Sequence, residues 1–270
     1  MWRIHEKIFL MQCWKKYLPV VLLVIFQCIS FQQKADDLGA VMGKVYPVYL
    51  GDFIADFYRG VFPFYGSGGS DVFNIPAVWS LYYIYFFLLM ARMSSHLSEK
   101  YEQQMILRCK TRRKWWREKN FEIWLETAGY QAVTLLTFAA YGLLVGDGVG
   151  INSKLQQEYA GIYFTEGSGW KTLILLIIMS FGVTLVLAYM QYLVSLKGKA
   201  VIGFIISVVV LVSSVFFCHP LLLGNYMMLI RQAPILDGGV HPETGILVCV
   251  LAVIAMILAG SRIIRKKDLF

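Results

Sequence analysis

A polar, basic stretch from Tyr101 to Glu126 interrupts a chain that is otherwise mostly apolar. It reads YEQQMILRCKTRRKWWREKNFEIWLE, and an apolar run follows it at once. A basic segment between two apolar runs is typical of a cytoplasmic loop of a membrane protein, because positive charge is retained on the inner side. This stretch therefore constrains both the class of fold and its orientation.

The composition places the chain among polytopic membrane proteins. Of its 270 residues, 58% are hydrophobic and 16% are charged, whereas charged residues make up about a quarter of a soluble domain. The formal net charge is +8. Most of the basic residues flank apolar runs, so anionic membrane lipid is a better partner for them than nucleic acid.

Apolar runs of helix length predict an all-α membrane protein with six transmembrane helices, which suit a ~30 Å hydrocarbon core. Residues 1–16 have apolar side chains at helical spacing and predict an interfacial helix. Segment 34–73 is too polar and too broken to span, and predicts external, interfacial turns with aromatic side chains at headgroup depth. The predicted spans are 17–33, 74–93, 123–145, 172–196, 200–218 and 244–261, all in one domain over 1–270.

The distribution of charge orients these spans. With the N-terminus inside, the inner segments hold most of the 25 Lys and Arg residues, and the acidic residues lie mostly in the outer segments. This asymmetry satisfies the positive-inside rule. Both termini and the loop 94–122 are therefore predicted to be cytoplasmic.

The chain lacks the motifs of an enzyme. Its Gly198–Lys199 pair is followed by Ala200 and belongs to no phosphate-binding loop, so the chain is not expected to hydrolyse ATP alone. The four histidines have no spaced partners and the five cysteines form no CxxC pair. The sequence therefore predicts no catalytic residue, no metal site and no cofactor in this chain.

Ionisable residues are absent from the predicted spans except at their ends, where Arg92 and Glu126 lie. Ion-coupled carriers usually need such groups inside the membrane, so a proton-coupled carrier is disfavoured. The polar residues Gln27, Gln131 and Gln191 are expected to form hydrogen bonds between helices.

The cytoplasmic loop has two parts. Leu97, Tyr101 and Met105 are spaced four apart and form an apolar stripe in a polar segment, whereas residues 112–119 are basic and rich in tryptophan. The stripe predicts a docking surface for a soluble partner. The basic run is explained equally well as an anchor on the inner leaflet.

The loop also carries the pattern E-x-x-x-x-L-R-x-K-x-x-R-x-x-W-x-x-K from Glu102 to Lys119. A hydrophobic half-hairpin, LLLGNYMMLIR, lies between the last two spans, and the chain ends in IIRKKDLF. In these features it resembles the permease subunits of compact type-2 ABC exporters, of the kind found with bacteriocin immunity and peptide-toxin export in Gram-positive bacteria. The long segment 34–73 departs from members with a short first external loop.

The resemblance implies a multi-pass protein of the bacterial cytoplasmic membrane. A coupling helix near 97–107 would sit in a cleft of a separate ABC ATPase, which binds the ATP and Mg. Two permeases, either copies or paralogues, would pair along the first and fifth spans, through Gln27, Ser30, Ser207, Ser213 and Ser214. The expected ATPase-coupling residues are Leu97, Tyr101, Glu102, Met105, Arg108, Arg113, Trp116 and Lys119.

The expected activity is export of amphipathic or antimicrobial peptides. Aromatic side chains beside carboxylates suit a cationic amphipathic helix, through apolar contact and charge. The alternatives are a non-transporting peptide-binding immunity or sensor protein, and a permease for lipid or glycolipid. A membrane-embedded enzyme is disfavoured by the lack of a catalytic set. The residues expected to contact the peptide are Tyr49, Asp52, Phe53, Asp56 and Phe57.

Overall fold

The computed structural model describes residues 2–64, 75–95, 111–164 and 169–266. Helices form the regular secondary structure within these ranges. The isolated bridge between Gln232 and Val240 is the one β-type pairing within these ranges. The α-helices in these ranges are α1 (Trp2–Met42), α2 (Leu50–Phe57), α3 (Ala77–Ser95), α4 (Arg112–Leu144), α5 (Ser153–Ala160), α6 (Gly169–Lys197), α7 (Ala200–Phe216) and α8 (Pro242–Lys266). Short 3-10 helices cover Leu223–Met227 and Leu229–Arg231. The predicted all-α class is confirmed for this part of the chain.

Several of these helices are long and apolar enough to cross a membrane. They are Lys15–Met42 within α1, Ala77–Ser95, Gly169–Lys197 and Pro242–Arg265. They overlap the predicted first, second, fourth and sixth spans. The predicted fifth span coincides with α7, which is apolar but has 17 residues, and the predicted third span lies in α4, which does not meet the same criterion. By length and composition these helices fit a helical membrane protein, and the six-span arrangement stays a prediction.

The chain packs into two compact units, although the sequence predicts one domain. The first unit consists of Met1–Phe57 and Gly129–Leu173, and the second consists of Tyr58–Ala128 and Ile174–Phe270. Two boundaries fall within α4 and α6, so each of these helices contributes residues to both units, and the third follows Phe57 at the end of α2.

In the first unit, α1 is one helix of 41 residues that continues on both sides of the predicted span 17–33. Residues 2–16 are helical as predicted and continue into the predicted span without a break, and their position at the membrane interface stays a prediction. Helix α1 ends at Gly43, whose φ of 63° is left-handed. The Lys44 N–H donates to the Gly39 carbonyl (3.0 Å), which is the bond of a Schellman cap.

Helix α2 is the buried centre of the first unit. All residues from Gly51 to Phe57 are buried, and α2 packs against α1. The Phe53 ring contacts Phe31 of α1 (centroids 5.8 Å apart) and Tyr141 of α4 (5.3 Å), both in the edge-on geometry that aromatic pairs favour. The predicted interfacial turns are wrong here, because the residues fold into a helix whose aromatic side chains meet other helices.

In the second unit, buried polar groups join α3 to α6. Gln191 Nε2 donates to the Phe87 carbonyl (2.8 Å), and the Tyr83 and Ser180 hydroxyls lie 2.8 Å apart. The predicted helix-to-helix bond of Gln191 is confirmed. Inside a membrane such bonds satisfy groups that have no access to water.

Helix α7 packs along α3 and buries two of its serines. Ser207 and Ser214 are fully buried within the chain, whereas Val201, Ile205 and Val209 are exposed. Ser207 and Ser214 are therefore packed within the chain, whereas Gln27, Ser30 and Ser213 are half-buried, and the pairing of two permeases along the first and fifth spans stays a prediction. The exposed face of α7 is apolar.

Candidate coupling site and the buried acidic helix

The basic, tryptophan-rich run forms the first turns of α4. The Lys114 N–H donates to Thr111 Oγ1 (3.2 Å), and the Trp115 N–H donates to the Thr111 carbonyl (3.2 Å). A threonine in this position satisfies an N–H group that has no partner inside the helix. The run 112–119 thus continues the helix that contains the predicted third span.

Helical geometry gives this run two faces. Arg113, Lys114 and Arg117 are exposed, and Trp115, Trp116 and Lys119 are buried. The exposed cations are followed along α4 by exposed Phe121, an arrangement typical of a membrane interface. The buried Lys119 ammonium lies 2.8 Å from Glu122 Oε2. The outer face suits anionic lipid, while the inner face packs within the second unit.

The inner face binds the end of α8. Arg112 Nη1 donates to the carbonyls of Ile264 (3.3 Å) and Arg265 (3.1 Å). Trp116 Nε1 donates to the Ile257 carbonyl (3.0 Å). Because carbonyls in the last turn of a helix lack partners in the helix, the guanidinium acts as a cap for α8.

Gly260 completes this contact. A Cβ atom at Gly260 would lie 2.1 Å from Trp116 Cζ2, so the indole is packed directly on the backbone of α8. The Trp116 ring also lies 6.2 Å from the Tyr192 ring of α6. We call the contact of Arg112 and Trp116 with residues 257–265 the α4–α8 clasp.

Only some of the predicted ATPase-coupling residues lie within the described residues. Arg113 is exposed, and Trp116 and Lys119 are buried. The remaining members, Leu97, Tyr101, Glu102, Met105 and Arg108, lie outside the described residues. The structure therefore separates Arg113, which is exposed, from Trp116, which belongs to the packing of the second unit.

A second candidate site surrounds the buried carboxylate of Asp52. Asp52 Oδ1 accepts from the Asn152 N–H (3.0 Å) and from Gln156 Nε2 (2.9 Å), and Oδ2 accepts from the Tyr49 N–H (3.0 Å). Burial raises the pKa of Asp52, while the hydrogen bonds from Tyr49, Gln156 and Asn152 act in the opposite direction. Asp52 therefore fastens the start of α2 to the start of α5.

Backbone pairing continues the same connection. The Leu50 N–H donates to the Gly148 carbonyl (3.0 Å), and the Gly51 N–H donates to the Gly150 carbonyl (2.8 Å). The Val48 N–H donates to Asp147 Oδ2 (2.8 Å). The two loops of the first unit are thus held together by side-chain and main-chain bonds.

Asp56, one turn after Asp52, meets α1. Gln27 Nε2 donates to Asp56 Oδ2 at 2.6 Å. Gln27 lies within the helix Lys15–Met42, so its predicted bond to another helix is confirmed. The ionisable group beside this candidate span comes from α2 and could not be found by inspecting the spans alone.

The structure brings the predicted peptide-contacting residues together, but inside the unit. Asp52, Phe53, Asp56 and Phe57 are buried, and Tyr49 is half-buried. The Phe57 ring packs edge-on against Phe138 of α4, with centroids 5.2 Å apart. A peptide could contact these side chains only after α2 had moved away from α1, so their first role is to hold the unit together.

The family model described as "Protein of unknown function (DUF2705)" matches residues 20–270. The chain belongs to this family. No curated protein and no solved structure matches the chain. The matched range includes both the α4–α8 clasp and the Asp52 network, so both lie in the DUF2705 region.

The DUF2705 chain also contains a buried cation that sequence reasoning missed. Arg231 is fully buried. Its Nε donates to the Val61 carbonyl (2.8 Å), and its Nη1 donates to the Phe217 carbonyl (3.0 Å). Further acceptors of the guanidinium are Ser214 O, Val215 O and Asn225 Oδ1.

These acceptors explain why a charge is tolerated there. Ser214 and Val215 lie in the last turn of α7, where carbonyls lack partners and a cation is favourable. Arg231 thereby joins the end of α7 to the segment after Tyr58. The available signal was a single charged residue, the arginine, in the hydrophobic half-hairpin LLLGNYMMLIR.

Proposed function

We propose that this chain is the transmembrane subunit of an ATP-driven exporter of the bacterial cytoplasmic membrane, energised by a separate ATPase subunit. The chain carries no phosphate-binding loop, so ATP and Mg would bind to the partner. The observation that best supports the proposal is the start of α4. It is a capped basic helix that follows the loop between two apolar segments and contacts the end of α8.

The proposal includes six spans with both termini in the cytoplasm and a second permease, either a copy or a paralogue. In this arrangement the loop 94–122 faces the ATPase and the clasp lies at the inner side of the membrane. Exposed Arg113, Lys114 and Arg117 then lie beside anionic lipid, in agreement with the positive-inside rule.

The proposed cargo is an amphipathic or antimicrobial peptide leaving a Gram-positive cell. The burial of Asp52 and Asp56 removes the strongest sequence argument for a preformed peptide site. Peptide recognition therefore requires exposed surfaces, or an opening of the contact between α1 and α2. A lipid or glycolipid cargo and a non-transporting peptide-binding protein are the competing functions.

The proposal is tested by co-expressing the tagged chain with an ATPase encoded beside it. We expect the ATPase to co-purify and its ATP turnover to change when the complex is reconstituted in liposomes. Tyr101→Ala with Met105→Ala should release the ATPase, since truncating two interface anchors costs ~2–4 kcal/mol of binding. Phe121→Ala, at an exposed aromatic residue of α4, is the matched control.

The same preparation separates the competing functions. Stimulation of turnover by a cationic amphipathic peptide supports peptide export, and stimulation by lipid alone supports the lipid permease. Peptide binding by a chain that retains no ATPase indicates the immunity or sensor protein and contradicts the proposal.

A further inference from the structure

We infer that Trp116 is a positioning residue that makes the start of α4 and the end of α8 move as one body, so that a displacement of the cytoplasmic loop reaches the last membrane helix. The inference rests on the proposed function, because it assigns a path to the motion that an ATPase would impose. It adds a role for α8, which the predicted coupling residues do not include.

The clasp has the geometry of a rigid connection. Its contacts on α8 fall at Ile257, at Gly260 and at Ile264 with Arg265. Since an α-helix has 3.6 residues per turn, these positions recur on one face over about two turns. One contact alone would allow α8 to pivot, whereas contacts over two turns fix its direction relative to the start of α4.

The contacts are made to the backbone of α8. Trp116 Nε1 bonds the Ile257 carbonyl, and its ring lies where a side chain at Gly260 would otherwise be. Side chains can change rotamer without moving their helix, but a bond to a carbonyl and a ring packed on a glycine move with the helix axis. The clasp is therefore suited to transmit displacement.

Much of the middle of α8 is exposed within the chain, although the buried Cys249 contacts Gly182 of α6. Its exposed residues include Leu247, Leu251 and Leu258. At the opposite end of α8, Gly245 packs closely on Tyr226 of the 3-10 helix Leu223–Met227. The clasp is thus the fixing point for the end of α8 that lies nearest the chain terminus.

The test uses Gly260→Ala, Trp116→Phe and the double variant in the full chain, each co-expressed with the ATPase. The alanine Cβ would overlap Trp116 Cζ2 and Cη2, which are distal atoms of the indole that a phenyl ring lacks. Either single variant should lower the permease-dependent ATP turnover by roughly 2- to 30-fold, the range for residues that carry coupling. The double variant should recover part of this loss, because Phe leaves room for the alanine.

Trp124→Phe is the matched control, since Trp124 lies on the same helix, is exposed and takes no part in the clasp. It should retain the wild-type turnover. The amount of co-purified ATPase is measured for every variant and should stay unchanged, which distinguishes transmission from docking.

Three results would overturn the inference. The single variants could keep wild-type turnover, or they could lose bound ATPase in proportion to turnover, which would place Trp116 in the docking surface. A wild-type chain that binds no ATPase would overturn the proposed function and this inference with it. Should Gly260→Ala fail to fold, Trp116→Phe alone decides the first two outcomes, and its melting temperature in detergent verifies its folding.

Discussion

Asp52 and Arg231 are both fully buried charges, one in each compact unit, and each fastens a loop to a helix end. Asp52 receives N–H groups from the loop before α2 and from the start of α5, whereas Arg231 donates to the carbonyls that end α7. Each charge is placed where the backbone offers groups of opposite polarity. The comparison shows that in each unit one buried charged side chain fastens an irregular segment to the end of a helix.

The two charges differ in how they respond to conditions. A carboxylate is neutralised when the pH falls to its pKa, which burial raises for Asp52. A guanidinium stays charged at every accessible pH. The charge of Asp52 therefore depends on pH, whereas the charge of Arg231 does not.

The largest effect is expected from Arg231→Met. It leaves several buried carbonyls and Asn225 Oδ1 without their donor, and we expect a loss of about 3 kcal/mol or more in unfolding free energy. Thermal melting of the detergent-solubilised chain measures the loss. Arg231→Lys is the control: it retains the charge but not the planar fork, and should fall between methionine and wild type. Equal melting of all three would show that the carbonyls do not need Arg231.

A smaller loss is expected from Asp52→Ala. It leaves the Tyr49 and Asn152 N–H groups and the Gln156 amide without their acceptor, which costs about 1–3 kcal/mol. In the same melting experiment, Asp52→Ala should lose less stability than Arg231→Met. A larger loss than for Arg231→Met would reverse the comparison.

The pH dependence distinguishes the two charges directly. Because the pKa of Asp52 is raised in the folded chain, the folded state binds the proton more tightly than the unfolded state. The stability contributed by this group therefore rises as the pH falls through the folded pKa, and is lost as the pH rises through it. Wild type should gain melting temperature relative to Asp52→Asn on acidification from neutral pH. A difference that is constant with pH would contradict this sign.

The smallest effect is expected at an exposed charge of the first unit. Lys44 Nζ lies 3.7 Å from Glu158 Oε1, and the Lys44 side chain is 62% exposed. Lys44→Met should change the unfolding free energy by no more than about 0.5 kcal/mol, because exposed ion pairs are screened by solvent. A loss comparable to that of Asp52→Ala would mean that burial is not what separates these sites.

Periodicity and composition predicted much of the helical architecture. They indicated the helices that contain spans 74–93, 172–196 and 244–261, because long apolar runs have few alternatives to helix in a membrane. They also indicated that Gln27 and Gln191 bond to other helices, since an unpaired amide in hydrocarbon is unfavourable.

The positions of the charged residues could not be predicted in the same way. In LGDFIADF, the acids and aromatics alternate in a manner that fits a membrane surface as well as a buried helix, and only the contacts of α2 with α1 decide between them. In the run 112–119, the composition does not reveal that Trp116 turns inward and Arg113 outward. That division depends on where α8 lies, which is a long-range contact.

The packing of Trp116 on Gly260 has a consequence for the history of these sequences. The Trp116 indole occupies the space that a side chain at position 260 would need. A substitution at one of the two positions therefore restricts which residues fit at the other. In relatives that keep this packing, any residue larger than glycine at the position of Gly260 should be accompanied by one smaller than tryptophan at the position of Trp116. Substitutions at the two positions would then occur together, although 143 residues separate them along a chain of 270.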